Sequence, residues 1–517
     1  MQKHTIHREK THQFSRLVTK LTYQQEGLAA LLTAPFSLEN LGVQMHRKKA
    51  NYSIHNRQVL VQELKKQFSS LSESSPVFSN IQKLENPNTF TITTGHQLNI
   101  GTGPAYVIYK IIHCIRLAEE LKKKYPNFDF VPVFWLASED HDIDEVNHTT
   151  IFGKKISWNE NQGGAVGQYT LHHWKEMKAE IAAFFQNYPD SEIHQLLQKY
   201  TGKNVADATQ QLFHSLFEKE GVIVLEPNVP GLKTLFLETM QREVQTPFVE
   251  ARVHKANQTI EQLGFSPQAF ARPINLFRLS EGKRERLLEV NTADVIKEMQ
   301  TNPDHFSPNV LLRPAFQETI LPNLVYVGGG GEISYWIQQK GIFEAIGLEF
   351  PLLSVRNSIQ IVEASPLKKW KKLGFSWEDI FTPLQELQRQ YIKANSAEEL
   401  NFTSLDLAVE KLQGVLQNHA TFFDQNIEKY VVAESARLSK QTEAIKAKFV
   451  KQRKSQLDLA MKQLEDLKAK LLPNNALQER TESFFSFCKD GAIQSKIELI
   501  KSVVDPFEND LIVLLLD

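Results

Sequence analysis

Cysteine is nearly absent from this 517-residue chain: only Cys114 and Cys488 occur. Two thiols cannot build a disulfide framework or supply a multi-cysteine zinc site. Cys114 lies inside an amphipathic helical pattern, where a thiol packs as a small apolar group. No excess of charge of one sign exists either, with 59 basic against 60 acidic residues and a formal charge of -1. That balance gives no electrostatic case for nucleic-acid binding. No apolar run approaches the roughly 20 residues needed to span a bilayer. The polar start, Met1-Gln-Lys-His-Thr-Ile-His-Arg, lacks the apolar centre of a signal peptide. These absences read as a cytosolic protein without membrane or nucleic-acid partners. Its length calls for two or three domains.

Proline and glycine are also unevenly spread. From Thr403 to Leu472 there is no proline and one glycine, Gly414. Val431, Leu438, Ile445 and Leu459 recur at heptad spacing, and Ala460, Leu464, Leu467 and Leu471 step by four, three and four. The spacing predicts a long antiparallel helical hairpin or coiled coil. Ser376 with Asp379, and Thr403 with Asp406, resemble capping boxes. Pro473-Asn474-Asn475 ends the arm. The wholly apolar run Leu511–Leu516 must be buried, so the tail is expected to return to the main sheet. This divides the chain into a core over 1–375, a helical arm over 376–473 and a returning segment over 474–517.

Before the arm, short apolar strands alternate with helical patterns. Phe90–Thr94, Phe130–Leu136, Gly221–Leu225, Leu324–Val327 and Phe350–Val355 read as strands. Tyr106–Lys124 and Asp207–Lys219 read as helices between them. The class is α/β, with a mainly parallel sheet covered on both faces.

Polar groups gather where three of these strands stop, which is where open α/β sheets bind ligands. After the first come Gly95, His96, Gln97, Asn99, Gly101, Thr102, Gly103 and Pro104. The glycines permit close backbone approach, Pro104 suits a helix start, and exposed amides there suit phosphate. Thr102 is placed to cap that helix or touch the anion, and His96 to donate to a phosphoryl oxygen. After the second come Glu139, Asp140, His141, Asp142, Asp144 and Glu145. Such crowding suits proton transfer, metal binding or recognition of an amine, with Asp140 and His141 as an orienter–base pair. The third stretch joins Arg313 and Gln317 to Gly328–Gly331, Glu332, Tyr335 and Trp336. Arg313 suits an anion clamp. Four glycines in a row imply main chain pressed against a ligand, another segment or a phosphate. Arg356 and Asn357 end a further strand on the same rim. Gly282-Lys283-Arg284-Glu285-Arg286 reads as a solvated turn.

The words Thr-Gly-His-Gln (94–97), Thr-Gly-Pro-Ala-Tyr (102–106), Pro-Val-Phe-Trp-Leu-Ala-Ser-Glu-Asp-His-Asp (132–142), Arg-Pro-Ala-Phe-Gln-Glu (313–318) and Gly-Gly-Gly-Gly-Glu-Ile-Ser-Tyr-Trp (328–336) closely resemble the bacillithiol biosynthesis cysteine-adding enzymes. That resemblance implies a Rossmann-like core with connecting inserts, an inserted α-helical coiled-coil arm, and a homodimer through the arm. It implies addition of L-cysteine to glucosaminyl-malate, the last step of bacillithiol assembly. The core is similar to class I nucleotidyl-transferring enzymes, although Thr94–Gln97 keeps only part of their His-x-Gly-His word. ATP is the expected cosubstrate, with magnesium accompanying it on no evident ligand set.

On this reading Gly95, Gly101, Thr102, Gly103, Gly328 and Gly329 meet the nucleotide. His96, Asp140, His141, Asp142 and Arg313 carry the chemistry. Gln97, Asn99, Glu139, Gln317, Glu332, Tyr335, Trp336, Arg356 and Asn357 shape the acceptor pocket. Two other readings remain: a nucleotidyltransferase for a different small acid, and a scaffold that binds partners through its arm. The enzyme reading requires His96, His141 and Glu332 to converge on one pocket.

Overall fold

The structure, a computed structural model, describes residues 1–288, 291–396 and 399–516. It divides into two compact units. One is built mainly from Ile361–Asn475, the other from Lys3–Gln360 with Ala476–Leu514.

The larger unit is organised by a five-stranded sheet in the order Leu352–Val355, Asn323–Gly328, Thr89–His96, Asp129–Leu136 and Ile223–Leu225. All four pairings are parallel. Its strands are nearly continuous apolar runs because both faces are covered; every residue of Phe130–Leu136 is buried. Pro132 is tolerated there because the outer neighbour pairs only with Val133–Trp135, so no ladder bond is missed on that side. The chain enters at Thr89–His96, builds outward through the next two strands, then returns to the other side with Asn323–Gly328. The order of strands therefore reverses beside Thr89–His96, a switch point that opens a crevice at the carboxyl ends.

The helix predicted over Tyr106–Lys124 has those bounds. The helix predicted over Asp207–Lys219 spans Val205–Phe217. The carboxyl-terminal run forms a strand, Leu511–Leu515, but it does not join the main sheet. It is instead the middle member of a separate three-stranded sheet, between Gln2–Ile6 and Ile359–Val362. An apolar run needs burial on both sides, and that small sheet supplies it as well as the large one would. Ser376 does bond Asp379, but a 3-10 turn follows. Thr403 is already inside its helix, and Asn401 accepts its amide instead.

In the smaller unit, Thr403–Ala420 and Gln425–Gln456 form the expected antiparallel hairpin. Gln413 Nε2 reaches Ser435 O at 2.8 Å, and Lys446 pairs with Asp406. Val431 and Leu438 are half-buried, whereas Ile445 and Leu459 are 50% and 76% exposed and leave the heptad series. Asp458–Leu471 follows a break at Leu457 and buries Leu464, Leu467 and Leu471. Among the described residues, no helix is long and apolar enough to cross a membrane.

Candidate active site

A cavity of about 910 Å³ opens at the switch point, within the larger unit. His96, His141 and Glu332 all line it, so the three polar stretches converge. Of the expected residues, Gly95, Gln97, Asp140, Asp142, Arg313, Gln317, Gly329, Tyr335, Trp336 and Arg356 line it too.

Several expected contacts are corrected. Gly101, Thr102 and Gly103 face inward. Thr102 is fully buried and bonds Ser483 Oγ at 2.8 Å, while its Oγ1 accepts the Phe484 amide. The Gly101 amide donates to the Tyr200 hydroxyl at 3.2 Å. Gly103 has φ +60°, and a Cβ there would meet Asn99 at 2.8 Å, so its glycine serves a tight internal turn. Pro104 lies outside the helix, and the Ala105 amide is taken by Glu482 O at 2.8 Å. No phosphate cradle exists at this turn. Asn99 is not part of the cavity wall; it stands behind it, donating to Glu145 O and bonding the His96 ring.

Glu139 is buried against the equally buried Lys233, which also donates to Phe306 O at 2.8 Å. An ion pair so enclosed fixes the strand end and cannot meet substrate. Asn357 likewise points inward, to His113 Nδ1 at 2.9 Å and to the carbonyls of Asp505 and Glu508. Gly328 is packed under Ile333 and Tyr326. In the glycine run, Gly330 answers a neighbouring chain segment, since a Cβ would lie 2.5 Å from Val18.

Two charged corners remain. In the first, Arg313 grips Asp140 bidentately, with Nη1 to Oδ2 at 3.0 Å. Burial alone raises the Asp140 carboxyl; Arg313 outweighs it and holds the group below its ordinary range. Asp140 therefore pairs with arginine, not with His141. His141 Nδ1 instead meets Arg284 Nη1 at 2.9 Å. A guanidinium has no lone pair, so Nδ1 accepts and the neutral ring carries its proton on Nε2. Burial and Arg284 push the His141 pKa down.

Arg284 also corrects the solvated-turn reading. Its side chain is 4% exposed, lies 3.9 Å above the Phe277 ring, and belongs to a hairpin of Leu276–Ser280 with Lys283–Arg286. Burial and Arg313 lower it to about 10. Arg284 and Arg286 share a face by the strand's two-residue period, a signal that was present in the sequence.

In the second corner, Glu332 accepts from Gly329 N at 2.7 Å, Tyr326 OH at 3.1 Å and Lys110 Nζ at 3.1 Å. Lys110 is fully buried, and also donates to Gly95 O. It ties the strand Thr89–His96 to the helix Gly330–Trp336 beside the switch point. Tyr106 and Arg356 complete this wall, the guanidinium carbon 5.0 Å from the ring centre. Arg356 is held by the buried Glu479 at 2.9 Å, a residue of the returning segment, and Arg480 beside it lines the cavity. Lys110, Tyr106, Arg480, Arg8 and Arg272 escaped the sequence reading. Lys110 left one trace, a lone charge inside the apolar stripe Tyr109–Ile112.

The cavity is rich in cations. Arg8, Arg272, Arg284, Arg286, Arg313, Arg356 and Arg480 line it, against the carboxylates of Asp140, Asp142, Glu145 and Glu332. Four buried nitrogens of lining residues have no partner: Trp135 Nε1 and the Nε atoms of Arg284, Arg313 and Arg356. All are donors, but each of these nitrogens is shut off from the cavity, so it is the guanidinium forks along the wall that suit phosphate or carboxylate oxygens. Among the described residues, no three His, Cys, Asp or Glu side chains cluster as metal ligands.

The chain matches two families of domain in sequence. Residues 1–357 match the N-terminal Rossmann-like domain of bacillithiol biosynthesis BshC, and residues 359–515 its C-terminal coiled-coil domain. Relatives in Flavobacterium johnsoniae and Cytophaga hutchinsonii are each 34% identical, over 96% of this chain and 96% and 95% of their own. One in Christiangramia forsetii is 32% identical over 98% of this chain and 97% of its own. All three are named as candidate cysteine ligases, BshC. With a Rossmann-like sheet, a coiled-coil arm and matches along nearly its whole length, the chain belongs to the BshC family of bacillithiol biosynthesis.

Proposed function

We propose that this protein is a cysteine ligase that joins the carboxylate of L-cysteine to the amine of glucosaminyl-malate, in the cytoplasm and at the expense of ATP. The observation that carries the reading is the cationic cavity at the switch point, lined by seven arginines. Both malate carboxylates and nucleotide phosphates are acceptors of the kind it lacks. The amide product, its sugar and its acid fit a site lined by arginines, aromatic rings and few free carboxylates.

A free carboxylate resists attack by an amine, and ATP supplies the activation: the carboxylate oxygen attacks phosphorus, an O–P bond forms, a phosphoanhydride bond breaks, and ADP or pyrophosphate leaves with the electron pair. Arg284, Arg313 and Arg356 are the groups that would hold its phosphates. Magnesium would enter with those phosphates. As the amine attacks, the C–N bond forms and the C–O bond to the leaving phosphate breaks, its electron pair leaving on oxygen. Arg313, kept charged by Asp140, stabilises that departing charge. The amine must first lose a proton. Among the described residues, Asp142 and Glu145 are the lining carboxylates that form no ion pair, and they replace His141 as the acceptors of that proton.

The hairpin arm exposes Leu412, Phe422, Phe423, Tyr430 and Phe449, a set that suits a second copy of the chain, so the enzyme is proposed to act as a homodimer. Purified protein supplied with L-cysteine, glucosaminyl-malate and ATP is expected to yield bacillithiol and cleaved nucleotide, read by mass spectrometry. No product, together with normal thiol in a deletion strain, would reject the reading. Cysteine-independent pyrophosphate exchange with another acid would favour a nucleotidyltransferase.

A further inference from the structure

Lys110 has three N–H bonds and no lone pair. Their acceptors are Gly95 O, the Glu332 carboxylate at 3.1 Å, and His96 Nδ1 at 3.5 Å. Because the ammonium only donates, His96 must present its lone pair at Nδ1. The single proton of the neutral ring then sits on Nε2. Burial, Lys110 and Arg356 push the His96 pKa well below its ordinary value and outweigh a hydrogen bond to the Asn99 side chain that raises it, which keeps the ring neutral.

His96 Nε2 lies 3.4 Å from the Tyr106 hydroxyl. The two rings meet edge-on, with centres 5.3 Å apart and planes at 82°. The Tyr106 oxygen thus receives the Nε2 proton donor, and its own hydrogen is left to point elsewhere. Both rings line the cavity. Burial, with Glu332 nearby, raises the phenol to about 12, so it keeps its hydrogen at neutral pH. Catalytic hydrogen bonds are often this long before substrate binds and tighten when it arrives.

We propose that Tyr106 is a catalytic hydrogen-bond donor to the acyl oxygen, at the cavity end of a directed chain that runs from Lys110 through His96. The proposal rests on the ligase reading and adds to it a residue and a direction. His96 is then a positioning residue and not a base, and Lys110 sets its tautomer. The acyl oxygen gains charge as the amine attacks, and Tyr106 stabilises that charge without giving up its proton. Each donor polarises the next, which strengthens the terminal O–H.

Tyr106→Phe removes one oxygen and keeps the ring. It is expected to lower kcat about 100-fold, the loss typical of one such donor, with KM within about twofold and an unchanged unfolding midpoint. His96→Ala should lose a similar amount, and the double variant no more than the worse single one, since the groups act as a unit. Independently of activity, nitrogen NMR of histidine-labelled protein should show His96 neutral with its proton on Nε2 between pH 6 and 8. A Tyr106→Phe enzyme with wild-type kcat would overturn the proposal, as would an effect confined to KM. So would an Nδ1-protonated or doubly protonated His96. If the wild-type protein makes no product, the ligase reading fails, and the NMR result still decides the direction of the chain.

Discussion

The two charged corners of the cavity solve one problem in opposite ways. At Asp140, a partly accessible carboxylate is gripped by Arg313 and approached by Arg284 at 3.8 Å. At Glu332, one fully buried ammonium, Lys110, serves the carboxylate, a backbone carbonyl and an imidazole together. The arginine corner keeps two rigid forks at the cavity wall, so it can exchange partners with an arriving anion. The lysine corner has spent all its donors on the protein and can only orient what lies in front of it. Proximity to a cavity therefore does not define a role; the number of uncommitted donors does.

The comparison can be broken most severely at the arginine corner. Arg313→Gln leaves Asp140 without its bidentate partner and removes a cation from the proposed leaving-group site. A loss of kcat/KM of at least about 10³-fold is expected, in line with loss of a charge clamp and the burial of an unpaired carboxylate. Steady-state assay of product formation measures it, and Arg313→Lys should restore little, because a point charge does not reproduce the fork.

Next in size is the pair behind that corner. Lys233→Met strands the buried Glu139 and should cost about 3 kcal/mol of stability by urea unfolding. Lys233→Met with Glu139→Gln should recover part of that loss, because the stranded charge is gone.

A comparable effect is expected from acid. Burial lowers His113 to about 4 against an ordinary 6.5. The unfolded chain then binds the proton first, so the stabilisation is complete above pH 6.5 and lost as pH falls towards 4. The shift corresponds to about 3 kcal/mol. Urea unfolding across that range should show the slope, and His113→Gln should flatten it.

The smallest contrast lies in the arm. Asp424 accepts the amides of Asn426 and Ile427, so Asp424→Ala should cost about 1 kcal/mol. Thr403→Ala should change almost nothing, because Thr403 caps no helix. Thermal unfolding of the two variants separates these expectations.

Strand positions were legible because a doubly covered parallel strand must be apolar throughout, as in Phe130–Leu136. The convergence of His96, His141 and Glu332 was legible for the same reason, since parallel strands end on one edge. Side-chain direction beyond the strand ends was not. Thr102 and Glu139 have the same chemistry whether they face a cavity or the interior, and only Ser483 and Lys233, far away in sequence, decide between them. Lys110 was hidden because a helix of 3.6-residue period buries it on a stripe otherwise read as packing. Arg284 was hidden by Gly282 two positions before it, which marks a turn but says nothing of where the side chains after it go. The carboxyl-terminal strand showed its need for burial, not which sheet would provide it.

Arg480 lines the cavity and Glu479 holds Arg356, although both follow the whole helical arm in the chain. A nascent polypeptide that has already formed the five-stranded sheet still lacks one wall of its pocket. Synthesis must pass the arm before the pocket has all its walls, so an interrupted translation product would lack the side that Glu479 and Arg480 build.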